Sequence, residues 1–348
     1  MKGRTEGVLP KTTNCFTDGG KVMKKLLAIA VIGAAAMGMA MTANAADLIK
    51  VGYAQVGHES DWRTANTKNY QDTFTEDNGY SLELVDCDND HAKQIEAVRN
   101  FIQEGLDYII IAPIQSAGWD TVLQEAQDAG IPVIIADREI DADESLYTAW
   151  VGTAPHDEGV TAGKWLGEQL GDKEANILQI EGSVGASAAI GRTEGFQEEV
   201  DKHDNWKILD SQSGDFTQDG GQQVMESFIK SYEGKFNVVV CQNDNEAYGA
   251  MDAMDAAGIT YGVDGDVTLI SYDATHDGLQ YTLDGKFNLD VECNPIQAQT
   301  VSDVIQKIQN KEDYEKKTLI KDEAFNAPGI KSEFATEITK DILDKRAY

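Results

Sequence analysis

Tyr108-Ile109-Ile110-Ile111-Ala112, closed by Pro113, carries no charged or amide side chain and reads as one apolar run of strand length. A strand with one face in water alternates apolar and polar residues. A strand apolar on both faces belongs to a parallel sheet with helices packed on each side. The same kind of run recurs at Pro132-Val133-Ile134-Ile135-Ala136. On the N-terminal side, Ile49-Lys50-Val51-Gly52-Tyr53-Ala54 and Ser81–Val85 read as further strands. Residues 62–77, Gln94–Gln103 and Thr121–Ala129 read as helices, stopped by Asn78-Gly79, Gly105 and Gly130. This βαβαβαβ order predicts a doubly wound sheet.

The alternation then restarts. After the polar loop Asp141-Ala142-Asp143-Glu144-Ser145 comes a strand, Leu146–Val151, and a helix from Gly159 to Leu170. Strands at Asn176–Ile180, Lys207–Leu209, Val238–Cys241 and Val267–Ser271 alternate with helices near 189–203, 219–232 and 245–257. Beyond Asp273 the pattern gives a helix-like stretch, a strand at Asn288–Glu292 and a helix at Ile296–Asn310. A strand at Lys317–Ile320 and a last helix near 333–345 follow. No low-complexity linker separates the two halves, so short crossovers join them, which suits a hinge. The expected fold class is α/β, with two doubly wound parallel-sheet domains.

Composition narrows the function. The 348 residues suffice for roughly two domains. A formal net charge of −31 argues against nucleic acid and anionic membrane surfaces as partners, because both attract basic proteins. Met23-Lys24-Lys25, the apolar run Leu26–Met41 and Ala43-Asn44-Ala45 read as a secretory signal over 23–45, cleaved to leave Ala46 first. Residues 1–22 read as an extension from an early start codon, and the expected destination is the periplasm. Cys87, Cys241 and Cys293 are widely spaced with no C-x-x-C, which argues against zinc, and their odd number leaves at least one thiol unpaired. Neither a metal nor an organic cofactor is expected.

The polar groups worth singling out lie at carboxyl ends of strands, where open α/β sheets bind ligands. Glu59-Ser60-Asp61-Trp62-Arg63 follows the first strand. An indole flanked by hydrogen-bonding groups suits a sugar, whose C–H face stacks while its hydroxyls pair. The plain alternative is a helix N-cap at Ser60, a first-turn acid and a core Trp. Asp137-Arg138 closes an apolar strand, where opposite charges are costly unless paired or bound to ligand. Arg192 follows the small-residue loop after Asn176–Ile180, which lacks both G-x-x-x-x-G-K-[ST] and G-x-G-x-x-G. Phe216 offers a second stacking face or a core ring. Asn243 and Asp273 offer hydroxyl contacts or helix caps. Glu59, Asp137 and Asp273 balance Arg63, Arg138 and Arg192, and a pocket near zero net charge points to a neutral polyol.

With these residues in view, the chain resembles the type I periplasmic sugar-binding proteins of the ribose- and galactose-binding family. The resemblance runs over essentially all of the sequence after Ala45. It rests on Asp137-Arg138, Glu194-Gly195-Phe196, Gln242-Asn243-Asp244, and Tyr272-Asp273 with Asp277-Gly278. Gln55-Val56-Gly57, Glu59-Ser60, Trp62-Arg63, Gly185-Ala186-Ser187, Ser211–Thr217 and Val224–Lys230 are similar to the galactofuranose-binding branch. The resemblance implies two α/β domains joined by three crossovers near Gly152, Asp273 and Tyr314. The first domain would take 46–152 plus 274–314, the second 153–273 plus 315–348. It implies a monomeric solute receptor of an ABC importer that closes on a monosaccharide and docks on a membrane permease. The implied sugar contacts are Glu59, Ser60, Asp61, Trp62, Arg63, Asp137, Arg138, Arg192, Asn243 and Asp273, with Phe216 in the place of a stacking aromatic.

Departures from the family pattern fall near the cleft. Asp61 replaces a small residue and His58 a serine. Gly191 replaces an acid, Ala274 a glycine, and Cys293-Asn294-Pro295 a segment that offers a Gln in ribose binders. Enzyme readings find little support: there is no G-x-S-x-G or H-E-x-x-H, and the five His are scattered. Asp86-Cys87-Asp88-Asn89-Asp90 starts like a calcium loop, but His91 stands at the required Gly and Ala97 at the required Glu. A receptor that signals to a chemoreceptor or membrane kinase would use the same cleft and is the alternative function.

Overall fold

The computed structural model describes residues 48–348, so the expected extension and signal segment lie outside the described residues. The chain builds β1 (Ile49–Gln55), α1 (Asp61–Thr73), β2 (Tyr80–Asp86), α2 (His91–Glu104), β3 (Tyr108–Ile111), α3 (Asp120–Asp128), β4 (Val133–Ala136) and β5 (Ala149–Gly152). It continues with α4 (Pro155–Leu170), β6 (Ala175–Glu181), α5 (Ser187–Val200), β7 (Trp206–Ser213), α6 (Gln218–Ser231), β8 (Val238–Cys241) and α7 (Asp244–Ala257). Then come β9 (Thr268–Asp273), α8 (His276–Leu283), β10 (Leu289–Glu292), α9 (Ala298–Asn310), β11 (Lys317–Leu319), β12 (Ala324–Asn326), β13 (Thr336–Glu337) and α10 (Lys340–Leu343).

The strands form two sheets. The first has six strands in the order β11-β5-β4-β3-β1-β2, the second seven in the order β13-β12-β10-β9-β8-β6-β7. β3, β4, β5 and β8 are buried at every position, as runs apolar on both faces require. Pairing is parallel throughout the first sheet. In the second sheet only β10 and β12 run antiparallel. In each sheet the strand order reverses beside the first strand of the unit, at β1 and at β6, and this places a crevice at the carboxyl ends.

Two expected boundaries move. β10 continues the second sheet, pairing Leu289 with Ile270 of β9, so the second crossover is Cys293–Gln297 rather than the neighbourhood of Asp273. β11 pairs Lys317 with Trp150 of β5, so the third crossover follows Leu319 rather than Tyr314. The first sheet's C-terminal contribution is therefore α9 and β11. Val301 and Ile305 of α9 are buried in its core. The physical break is Pro295, which cannot continue a strand ladder. Passage from the first sheet to the second otherwise occurs between Gly152 and Pro155.

The tail also differs from expectation. Residues 333–345 do not form one helix. Thr336-Glu337 pairs with Phe325-Asn326, and only Lys340–Leu343 is helical, capped by Thr339. Ile338 and Leu343 bury against Phe325, Ala274 and Leu279, so packing of a small satellite core overrides the helical pattern. The strand expected at Leu146 begins at Ala149, because Glu144–Leu146 forms a 3₁₀ turn held by the Asp143 carboxylate. Cys87, Cys241 and Cys293 are free and buried, as small hydrophobes are.

Candidate ligand-binding site

The first sheet supplies one wall. β1 ends at Gln55, and Ser60 caps α1 by accepting from the Arg63 amide at 3.1 Å. The cap starts the helix so that Trp62 and Arg63 both fall on its buried side. Arg63 donates through Nη2 to Asp137 at 2.6 Å and through Nε to Glu59 at 3.2 Å. Nη1 reaches Gln55 at 3.3 Å. Burial works against this guanidinium's charge, but Asp137 and Glu59 outweigh it and raise the pKa above the ordinary arginine value. Asp137 sits at φ 64°, a left-handed conformation that turns the chain sharply off β4. The next residue, Arg138, is thereby aimed back at Glu59, to which Nη2 donates at 2.5 Å. The Trp62 indole N–H donates to the Cys293 carbonyl and so ties α1 to the second crossover.

The second sheet supplies the other wall. Arg192 of α5 donates through Nε to Glu158 at 2.7 Å, through Nη1 to the Gln242 carbonyl, and through Nη2 to Asp273 at 3.3 Å. Burial pushes the Asp273 carboxyl well above the ordinary carboxylate range, with Arg192 opposing. Phe216, at φ 61°, is buried, and the Arg138 guanidinium lies 5.2 Å from its ring centre. Asn243 caps α7 by accepting from the Glu246 amide at 2.8 Å, and its own amide donates to the Phe216 carbonyl at 2.9 Å. It is therefore both the helix cap that the sequence left open and the support of the aromatic.

These walls face each other. Glu59, Ser60, Trp62, Arg63, Asp137 and Arg138 from one unit, Ala188, Arg192, Phe216, Asn243 and Asp273 from the other, and Cys293 of the crossover line one narrow cavity. Glu59 Oε2 is buried there without a hydrogen-bond partner. All the sequence-derived candidates line this cavity except Asp61. Asp61 is exposed and bonds across the cleft mouth: its amide donates to Asn245 Oδ1 at 3.0 Å, and Asn245 donates back to its carboxylate at 3.1 Å. Further bonds between the units run from the Ser116 amide to the Gly185 carbonyl at 2.9 Å and from the Glu139 amide to Ser187 Oγ at 2.8 Å.

A wider groove of about 730 Å³, open to solvent, lies along the crossovers among Asp157, Thr161, Lys321, Glu323 and Phe334. It holds no buried arginine, so we place the site in the smaller cavity. Sequence reasoning missed Gln55 and Glu158 as partners of the arginines. Gln55 stood just past the strand read as Ile49–Ala54, and Glu158 just before the helix read as starting at Gly159. Neither pairing has a local sequence signal, because Glu158 and Arg192 lie on different helices.

Comparison with known proteins agrees with this architecture. A sequence-family profile described as a periplasmic binding protein domain matches residues 51–312. The galactofuranose-binding protein YtfQ of Escherichia coli is 40% identical over 82% of this chain and 88% of its own. A Mycobacterium smegmatis structure in complex with β-D-fucofuranose is 44% identical, with a TM-score of 0.76 over 80% of this chain and 91% of that one. The binding component of an arabinose ABC transporter from Shewanella, bound to α- and β-L-arabinofuranose, is 36% identical. It also has a TM-score of 0.76 over 80% and 91% of the two chains.

Proposed function

Because this chain belongs to the periplasmic binding protein family, we propose that it is the solute receptor of an ABC sugar importer. On this reading it holds one neutral monosaccharide, in a furanose form of the galactofuranose type, between its two units. The observation that carries the reading is the cavity lining: three buried arginines set against three carboxylates, with two aromatic rings and the unspent Glu59 Oε2. Several buried acceptors among the described residues lack partners, but Glu59 Oε2 is the one in the cavity lining, where a sugar hydroxyl would satisfy it. Equal numbers of guanidinium and carboxyl groups, each able to bond two hydroxyls, favour a neutral polyol over a phosphate or carboxylate. The furanose form is carried over from the sugars named for the relatives above.

The mechanism follows from the two-walled site. Hydroxyls of one ring take partners from both units, so the ligand stabilises the apposed arrangement by mass action. The apposed surface is then what a membrane permease would engage. A thermal-shift screen of the chain beginning at Ala46 tests this with galactose, L-arabinose, fructose, ribose and glucose. A rise of several degrees with one or two of them is the expected result. No shift with any of them, from well-folded protein, overturns the monosaccharide reading.

A further inference from the structure

Arg192 is held in part by a group that does not face the sugar cavity. Its Nε bonds to Glu158, and Glu158 is buried and absent from the cavity lining. The second oxygen of Glu158 accepts from Thr153 Oγ1 at 2.9 Å. Thr153 Oγ1 in turn lies 3.4 Å from Cys293 Sγ. A threonine hydroxyl has one proton, and Glu158 takes it, so the thiol donates to the threonine. Burial pushes the Cys293 thiol well above its ordinary pKa and keeps it protonated for that purpose. Thr153 lies in the first crossover and Cys293 in the second. The next amide, of Asn294, donates to Asp322 in the third crossover at 2.9 Å.

Backbone packing holds the same contact. A Cβ at Gly159, beside Glu158, would meet the Arg192 carbonyl at 2.3 Å. A Cβ at Gly195 would meet the His156 carbonyl at 2.0 Å. Helices α4 and α5 therefore touch backbone to backbone where Glu158 meets Arg192. With Nε on Glu158, one Nη on Gln242 and the other on Asp273, two of the five N–H groups of Arg192 remain for a ligand.

We propose that Glu158 is a positioning residue for Arg192, and that the buried run Cys293–Thr153–Glu158–Arg192 makes the arginine's aim depend on how the crossovers are seated. Glu158 and Thr153 thus act on sugar affinity from outside the cavity walls. This inference rests on the sugar-receptor reading above.

Calorimetric titration with D-galactose and with L-arabinose tests it on the wild type, Glu158→Gln, Thr153→Val and Thr153→Ser. Glu158→Gln and Thr153→Val should weaken binding about 10- to 100-fold, the range for a lost bond to a charged group. Thr153→Ser restores the hydroxyl and should recover most of that loss, which a purely steric role of Thr153 would not give. Unfolding midpoints without sugar, measured alongside, identify any variant that fails to fold, and Thr153→Val carries the test where Glu158→Gln does. Wild-type affinity in Glu158→Gln and Thr153→Val overturns the proposal, as does a Thr153→Ser as weak as Thr153→Val. A wild type that binds neither sugar, nor any in the thermal screen, overturns the receptor reading itself.

Discussion

Arg138 and Glu59 are both buried, and Arg138→Met would leave the Glu59 carboxylate with Arg63 Nε at 3.2 Å as its one remaining charged partner. Losing a bond between charged groups costs about 1.5–3 kcal/mol. We expect a clearly lowered unfolding midpoint together with loss of measurable sugar binding; an unchanged midpoint and affinity would show the pair to be incidental. Glu246 gives a pH prediction. Burial raises its carboxyl from 4.5 to about 8, against the Phe216 amide and Arg192. The folded chain keeps that proton up to about 8 and the unfolded chain only to about 4.5. The unfolded state thus binds fewer protons in this window, and stability falls as pH rises through it. Asp244, raised to about 6 by burial, adds to the fall in its lower part. The unfolding midpoint of Glu246→Gln should therefore decline less between those pH values than that of the wild type, and an equal decline would refute the assignment. At this scale much of the site was legible. Glu59, Asp137, Arg138 and Asp273 stand at or just past strand ends, Trp62 and Arg63 open α1, and Arg192 lies on α5, in costly combinations. Asp61 belonged to the same stretch, yet the period of α1 turns it outward while Trp62 and Arg63 turn in.

The α4–α5 contact is where an element decides function. Gly159→Ala or Gly195→Ala would force the helix backbones apart, since neither Cβ has room. Overpacking of this kind costs about 1–3 kcal/mol. Gly159→Ala should also weaken sugar binding, because the atom it would strike belongs to Arg192. Measured together, a lowered midpoint with intact affinity would separate the packing from the site. Element type was readable wherever apolar runs were long, as in β3, β4 and β8. It failed in the tail, where the buried β12 and the exposed β13 are only three and two residues long and draw their conformation from pairing with each other and with β10. The crossovers were misplaced for a related reason. β10 and β11 are strands of only four and three residues, and which sheet each joins is settled by its partner strand.

For the whole molecule, the two units meet through Asp61–Asn245, Glu139–Ser187 and Ser116–Gly185 as well as around the cavity. Exposed bonds of this kind contribute about 0.5–1.5 kcal/mol each. Asn245→Ala removes the rim pair without touching the cavity. It should speed sugar release roughly two- to tenfold by stopped-flow tryptophan fluorescence, with little change in the association rate. An unaltered release rate would mean that the rim bonds do not hold the apposed form. The central claim is that one sugar ring sits between Trp62 and Phe216 with all three arginines around it. The most direct test is a crystal structure of the chain from Ala46 grown with the sugar that gives the largest thermal shift. The account predicts the ring in the cavity, bonded to Arg63, Arg138 and Arg192 and to Glu59 Oε2. Sugar seated instead in the groove beside Lys321 and Phe334, with the cavity unchanged, would contradict it.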